Sequence, residues 1–309
     1  MSQNEVGVQP AQTVRPGSLA AWRMAARPHT LTVSLAPVLV GTGVAVTVGG
    51  FHARAAALAL LGALLLQIAS NLANDLFDFR SGADNAARKG PPRTAQLGLL
   101  SQGQLLGGLV AVLLVAVCVG GLLVELGGWP ILLIGLSGMV SAVAYTAGPY
   151  PLGYHGLGDL FVFLYFGLAA VAGTTFVQTG TWEPLALALA IPVGGIAAGV
   201  LSVNNIRDLD TDAPAGKRTM AVRLGPRPAR WWFALQIFGG FGVVAALILG
   251  DALPLHAALV LLALPHAARL ANTVARHDDG PTLNRALGGT AKLQLLFAVL
   301  LLPALLLPG

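Results

Sequence analysis

Ala55-Ala-Ala-Leu-Ala-Leu-Leu-Gly-Ala-Leu-Leu-Leu-Gln67-Ile-Ala-Ser-Asn71-Leu-Ala-Asn74-Asp75-Leu-Phe-Asp78 is a long apolar run that ends in a row of amides and carboxylates. No charged side chain lies between Arg54 and Asp75, and a helix needs about 20 mainly apolar residues to cross a bilayer. This stretch is long enough. Eight more runs of that kind are bounded by charge, Pro or Gly, so nine spans are expected in all, near residues 29–49, 53–75, 103–124, 128–147, 157–179, 184–206, 229–249, 253–271 and 290–308. The whole composition agrees: 55% of the 309 residues are hydrophobic and only 10% charged, against roughly 25% charged in a water-soluble domain. An ordinary soluble enzyme and a disordered chain are excluded. With Cys118 as the one cysteine, so is a disulfide scaffold.

Charge gives the orientation. With the N-terminus cytoplasmic, every Lys and Arg except Arg54 falls on the cytoplasmic side, the pattern expected of inner loops. The net charge of +5 therefore reports loop placement, and no nucleic-acid partner is expected. The fold class is all-α, a polytopic membrane protein with the N-terminus inside. No cleaved signal peptide is expected, because no apolar core precedes the first span. Residues 1–22 read as a mobile tail with an interfacial segment around Trp22 and Arg23, and 23–309 as a single transmembrane domain.

Six of the 13 acids fall in two windows at the inner ends of the second and sixth runs. One holds Asn71, Asn74, Asp75, Asp78 and Asp84; the other holds Asn204, Asp208, Asp210 and Asp212. At 100° per residue, Asn71, Asn74, Asp75 and Asp78 span an arc of about 100°, and Asn204, Asp208 and Asp212 about 80°. Each helix end thus presents a stripe of oxygens, which should face a bundle interior or a wet cavity and not lipid. Asp210, about 200° from Asp208 on the same wheel, reads as solvated. Carboxylates brought together repel unless a cation sits between them, and oxygen-only ligands suit Mg²⁺ with substrate phosphate and water. Each stripe is followed by a basic loop, Arg88-Lys89-Gly90-Pro-Pro-Arg93 and Ala215-Gly216-Lys217-Arg218-Thr219. These cations either neutralise phosphate oxygens or anchor the inner leaflet.

On these residues the sequence resembles the UbiA superfamily of intramembrane aromatic prenyltransferases, over roughly residues 20 to 309. The family's first motif, Asn-x-x-x-Asp with a further acid, falls on Asn74, Asp78 and Asp84; its second, Asp-x-x-x-Asp, falls on Asp208 and Asp212. Three stretches are similar to the branch that prenylates 1,4-dihydroxy-2-naphthoate in menaquinone synthesis. They are residues 74–84, residues 204–219, and Tyr145 to Tyr154 with Asp159 following. Asp84 follows Asp78 by six positions where the wider superfamily has four, which puts it past a glycine in a loop.

The resemblance implies a UbiA-type bundle of two related four-helix halves plus a ninth helix, in the bacterial inner membrane with its site facing the cytoplasm. It implies transfer of a polyprenyl group from its diphosphate to 1,4-dihydroxy-2-naphthoate with loss of CO₂, giving demethylmenaquinol. Mg²⁺, expected as two ions, would be held by Asp78 and Asp208, with Asp75, Asp84 and Asp212 as further or water-bridged ligands. Lys217, Arg218, Arg88 and Arg93 would complete the diphosphate clamp, with Asn74 and Asn204 beside them. Arg27 resembles a position near the aromatic acceptor, or is an ordinary flanking charge. Tyr145, Tyr154 and Asp159 would cover the acceptor, with a helix cap as the other reading of Asp159. Two rival functions remain. An ion-coupled transporter also places acids at helix ends, and another acceptor, such as 4-hydroxybenzoate or homogentisate, would use the same metal motifs.

Overall fold

The computed structural model describes residues 14–83 and 89–307. Among them there is no strand, and nine helices are labelled α1 to α9 here: α1 Leu19–Ala26, α2 Pro28–Thr47, α3 Ala53–Arg80, α4 Gln102–Ala144, α5 Gly158–Thr179, α6 Pro184–Arg207, α7 Pro226–Leu249, α8 Leu255–Arg276 and α9 Gly280–Leu306. All but α1 are long and apolar enough to cross a membrane. The protein is a multi-pass membrane protein.

Eight long helices stand where nine runs were expected because the third and fourth runs form one 43-residue element, α4. It breaks at Gly128, whose φ of 68° and ψ of −157° are not helical, two residues before Pro130. Its neighbours on α3 show what the break does. Before it, Leu123 lies against Gly62 and Gly108 against Leu72; after it, Ile131 packs near Ala55 and Gly138 against Leu66. The two halves of α4 therefore run past α3 in opposite directions.

Small residues set the closest crossings. A Cβ on Gly194 of α6 would stand 2.8 Å from the Cα of Gly167 on α5, closer than two carbons approach. At this level α5 is wound as a π-helix from Phe163 to Ala172, a rare form found mostly where helices serve a site. The main core is shared by α2, α6, α7, α8 and α9, with Phe233, Ile237, Leu293 and Phe297 fully buried in it.

The chain before residue 23 was expected to be a mobile tail; residues 14–22 are instead part of the fold. Ser18 caps α1 by accepting from the amide of Ala21, and the Trp22 ring fills the space beside Gly108 that a side chain there would take. Arg27 joins α1 to α2 in the left-handed conformation, φ 51°. Residues 1–13 lie outside the described part of the chain. At the far end of the bundle Arg54 faces Glu125 at 3.8 Å, both exposed. The lone basic residue of that side is thus at the opposite end of α3 from Asp78.

Candidate active site

α3 has 28 residues, about 42 Å at 1.5 Å each, so its last turns reach beyond a hydrocarbon layer of about 30 Å. Those turns carry the first polar stripe inward. Asp75 is fully buried. Its Oδ1 accepts from Arg27 and from Arg93 Nη1 at 3.1 Å, and its Oδ2 from the amide and hydroxyl of Thr94 at 3.2 and 2.6 Å. A carboxylate offers about four acceptor positions, and all are used. Asp75, expected as a metal ligand, here fastens Arg27 and the Arg93-Thr94 turn to α3.

Asp78 is engaged more sparsely. Oδ1 accepts from Tyr154 Oη at 2.8 Å and Lys217 Nζ at 3.2 Å, and Oδ2 from Arg93 Nη2 at 3.0 Å. Asn74 keeps a buried Oδ1 with no hydrogen-bond donor among the described residues. Asn71 spends its amide on the α1–α2 junction, donating to the carbonyl of Ala26 at 2.9 Å and to Thr30 Oγ1 at 3.0 Å.

The second stripe was expected on an unbroken helix through Asp212, and this is corrected. α6 ends at Arg207, Asp208 leaves the helical conformation with φ −94° and ψ 7°, and a single turn, Leu209–Asp212, follows. At the break lies Arg207, the largest fully buried side chain among the described residues. Its guanidinium forks onto both oxygens of Asp208 and reaches Asn204 Oδ1 at 2.8 Å and Asn284 Oδ1 of α9 at 2.6 Å. Asp212 has no ion-pair partner among the described residues. Burial, followed by the charges of Asp208 and Asp78, pushes its carboxyl up to about 7, although Lys217 and Arg207 oppose the shift.

One cavity collects both stripes. Asn74, Asp78, Asp208, Asp212 and Lys217 line its polar end. From there it follows α3 down to Ala59, about 29 Å of helix, past Leu66, Phe166 and Val177 and into apolar walls. Among the described residues no three acids gather closely enough to form a metal cage alone. The donor set is nevertheless all oxygen, with Asn74 Oδ1 unclaimed and Asp212 without a cation. It fits Mg²⁺, which completes its shell with water and phosphate.

The family model described as the UbiA prenyltransferase family matches residues 34–306. The chain belongs to this family. The 1,4-dihydroxy-2-naphthoate octaprenyltransferase of Escherichia coli is 36% identical to it over 292 residues, 90% of this chain and 94% of that protein. The protein of the same name from Mycobacterium tuberculosis is 35% identical, covering 93% and 97%. Among solved structures, a UbiA homolog from Archaeoglobus fulgidus bound to DMAPP and Mg²⁺ superposes with a TM-score of 0.66 at 18% identity, over 91% of this chain and 99% of that one. The apo UbiA homolog from Aeropyrum pernix K1 gives 0.70 at 17%, over 89% and 97%. At such identities the structural likeness is one of fold.

Within this UbiA bundle the remaining expected residues separate. Arg27, Arg93, Tyr145, Tyr154 and Asn204 line the cavity. Burial and the nearby Asp159, Asp78 and Asp212 raise the Tyr145 phenol above its ordinary value, so it stays protonated. Arg218 is not among the cavity-lining residues: its side chain is exposed, and among the described residues only its backbone is engaged, with Tyr154 and Arg223. Asp159 neither covers the cavity nor caps α5. It is buried behind the wall, where Oδ2 accepts from Trp232 Nε1 at 2.7 Å, Ser202 Oγ at 3.1 Å and Gln236 Nε2 at 3.2 Å, tying α5, α6 and α7. Asp84 and Arg88 lie outside the described residues. Two residues that sequence reasoning missed, Arg207 and Thr94, hold the acids in place. Arg207 stands three positions after Asn204, a spacing that puts both on one helix face.

Proposed function

We propose that this protein transfers a polyprenyl group from polyprenyl diphosphate to 1,4-dihydroxy-2-naphthoate, releasing diphosphate and CO₂ and giving demethylmenaquinol. The observation that carries this reading is the single cavity with Asp78, Asp208, Asp212 and Lys217 at one end and apolar walls along the rest. A diphosphate suits the first part and an isoprenoid tail the second. The acceptor is inferred from the named activity of the E. coli and M. tuberculosis relatives, which align along nearly the whole chain.

Mg²⁺, two ions in this reading, would be held by Asp78, Asp208 and Asp212 and would supply positive charge where the leaving diphosphate grows more negative. Lys217 and Arg93 add cations at the same end; Asp84, from the first motif, and Arg88, from the basic loop after it, are further candidates by sequence alone. The carbon–oxygen bond to diphosphate breaks, and the apolar walls keep water from the allylic cation. The naphthoate ring supplies the electron pair for the new carbon–carbon bond. Arg27, which lines the cavity, would receive the acceptor's carboxylate, and Tyr145 and Tyr154, which line the same cavity, would cover the acceptor.

The reversal of α4 at Gly128 supports nine membrane crossings. The asymmetry of Lys and Arg supports a cytoplasmic N-terminus and an active site on the cytoplasmic face of a bacterial inner membrane. The test is turnover by purified protein in detergent with Mg²⁺ and a prenyl diphosphate. Diphosphate release that depends on added 1,4-dihydroxy-2-naphthoate is expected. Consumption of 4-hydroxybenzoate with the naphthoate ignored would overturn the acceptor assignment.

A further inference from the structure

α8 and α9 form an antiparallel pair on the flank of the bundle, closed where the Leu270 side chain and the His266 ring meet Gly289, whose carbonyl lies 3.1 Å from His266 Nε2. Neither helix contains an Asp or Glu, yet together they carry Arg269, Arg276, Arg285 and Lys292. All four are exposed. Among the described residues none has an acid within ion-pair distance, and the nearest acids are already engaged. Asp278 pairs with Arg230, and Asp279 caps α9 by accepting from the amide of Thr282.

These cations share one side of the seam. On α9, Arg285 and Lys292 lie about 40° and 60° round from Gly289 in the same sense, and on α8 Arg269 lies about 80° from the contact face in that sense. Antiparallel helices bring like rotations to the same side of their interface. Deeper along the same side, Leu262, Leu296 and Val299 are exposed by 68%, 38% and 47%. From surface to mid-membrane the groove therefore reads basic and then apolar.

Depth makes the arrangement costly if left alone. Arg230 donates to the carbonyl of Val274 at 2.8 Å, beside Trp231, which is 78% exposed in the manner of an interfacial anchor. Lys292 is about 18 Å of helix past the start of α9, well below that level. A lipid-facing ammonium at this depth requires a counter-charge or a reach back to the headgroups.

We propose that this seam binds an anionic glycerophospholipid of the leaflet on the diphosphate-site side. Its phosphate sits among Arg269, Arg285 and Lys292, and its acyl chains lie along Leu262, Leu296 and Val299. A zwitterionic headgroup would bring its own cation to a surface with no acid to receive it. A free phosphate would leave the apolar half of the groove unused. The site is separate from the reaction cavity: Lys292 is about 140° round α9 from Leu287, which lines that cavity.

The experiment places the full chain in phosphatidylcholine nanodiscs with and without phosphatidylglycerol, then follows thermal unfolding and, after delipidation, the lipid retained by mass spectrometry. Phosphatidylglycerol should be retained over phosphatidylcholine and should raise the unfolding temperature. Arg269→Gln with Lys292→Gln should lower that selective retention about tenfold while leaving unfolding in pure phosphatidylcholine unchanged. Lys292→Arg should keep it. Equal retention of the two lipids, an unaltered double variant, or a thermal shift reproduced by inorganic phosphate would overturn the proposal. Prenyl transfer in pure phosphatidylcholine does not enter the comparison, so failure here is distinguishable from failure of the proposed reaction.

Discussion

Lys217 Nζ stands 3.2 Å from Asp78 Oδ1, joining positions 139 apart in sequence, and 4.6 Å from the centre of the Tyr154 ring. The lysine comes from the loop after the second acid stripe and the aspartate from the first, so this contact ties the two motifs at the cavity's polar end. In the proposed reaction, an ammonium held there would meet the growing charge of a departing diphosphate. Lys217→Met is expected to lower kcat by about 10²–10³-fold, the scale for removing one preorganised charge-stabilising donor. Lys217→Arg should recover part of the loss. Steady-state transfer of a labelled prenyl group measures both, and a Met variant within a few-fold of wild type would sink the clamp.

Asp208 and Asp210 are two positions apart with opposite surroundings. Asp208 is buried on the cavity wall, whereas the Asp210 side chain is 71% exposed and pairs with Lys89 at 2.7 Å. Exposed pairs contribute about 0–1 kcal/mol. Asp78→Asn and Asp208→Asn should each cut turnover by about a thousandfold or more, with expression intact, while Asp210→Asn stays within about threefold. Equal losses at all three positions would contradict the placement of the acids.

In the proposed metal site, Asp212 would confer a pH dependence. Burial and its acidic neighbours hold its carboxyl up at about 7, against about 3.9 in an unfolded chain. Only the carboxylate can ligate, so affinity for Mg²⁺ should rise from pH 6 to about 7.5 and then level, with proton release on binding. Isothermal titration in buffers of different ionisation enthalpy reads the protons directly. The linkage to stability has the opposite sense: the folded state holds a proton the unfolded state has lost, so this contribution is present below about pH 4 and lost as pH rises through about 7. Asp212→Asn should flatten both profiles. Metal affinity unchanged between pH 6 and 8 would exclude Asp212 as a ligand.

The spans were legible because a bilayer demands long apolar runs, and such runs stand out in a single sequence. Their ends were less so. The last span was expected from residue 290, but α9 starts at Gly280, because Arg285 interrupts an apolar count without interrupting a helix. The stripes were readable from helical spacing, yet spacing could not show that Asp75 is saturated or that Asp159 faces away from the cavity. Both outcomes depend on partners far along the chain, Arg27 for one and Ser202, Trp232 and Gln236 for the other. Arg207 was counted as an inner-face charge, and nothing local shows that Asn284 of α9 completes its shell.

Asp75 provides the sharpest separation of structural from catalytic acid. Asp75→Ala would strip the buried Arg93 and the partly buried Arg27 of their shared counter-charge and leave the Thr94 hydroxyl without its acceptor. Removing one partner of such a buried pair costs about 3–5 kcal/mol, which should show as a lower unfolding temperature in detergent and a poorer yield of folded protein. Asp75→Asn is milder, because its amide oxygen can still accept from Thr94 or from one arginine. If Asp75 only fastens the turn, Asp75→Asn should leave Mg²⁺ affinity within about threefold of wild type while Asp78→Asn lowers it by at least tenfold. Should the two asparagine variants lose metal equally, Asp75 would belong among the ligands, and its four protein contacts would have to open when the ion binds.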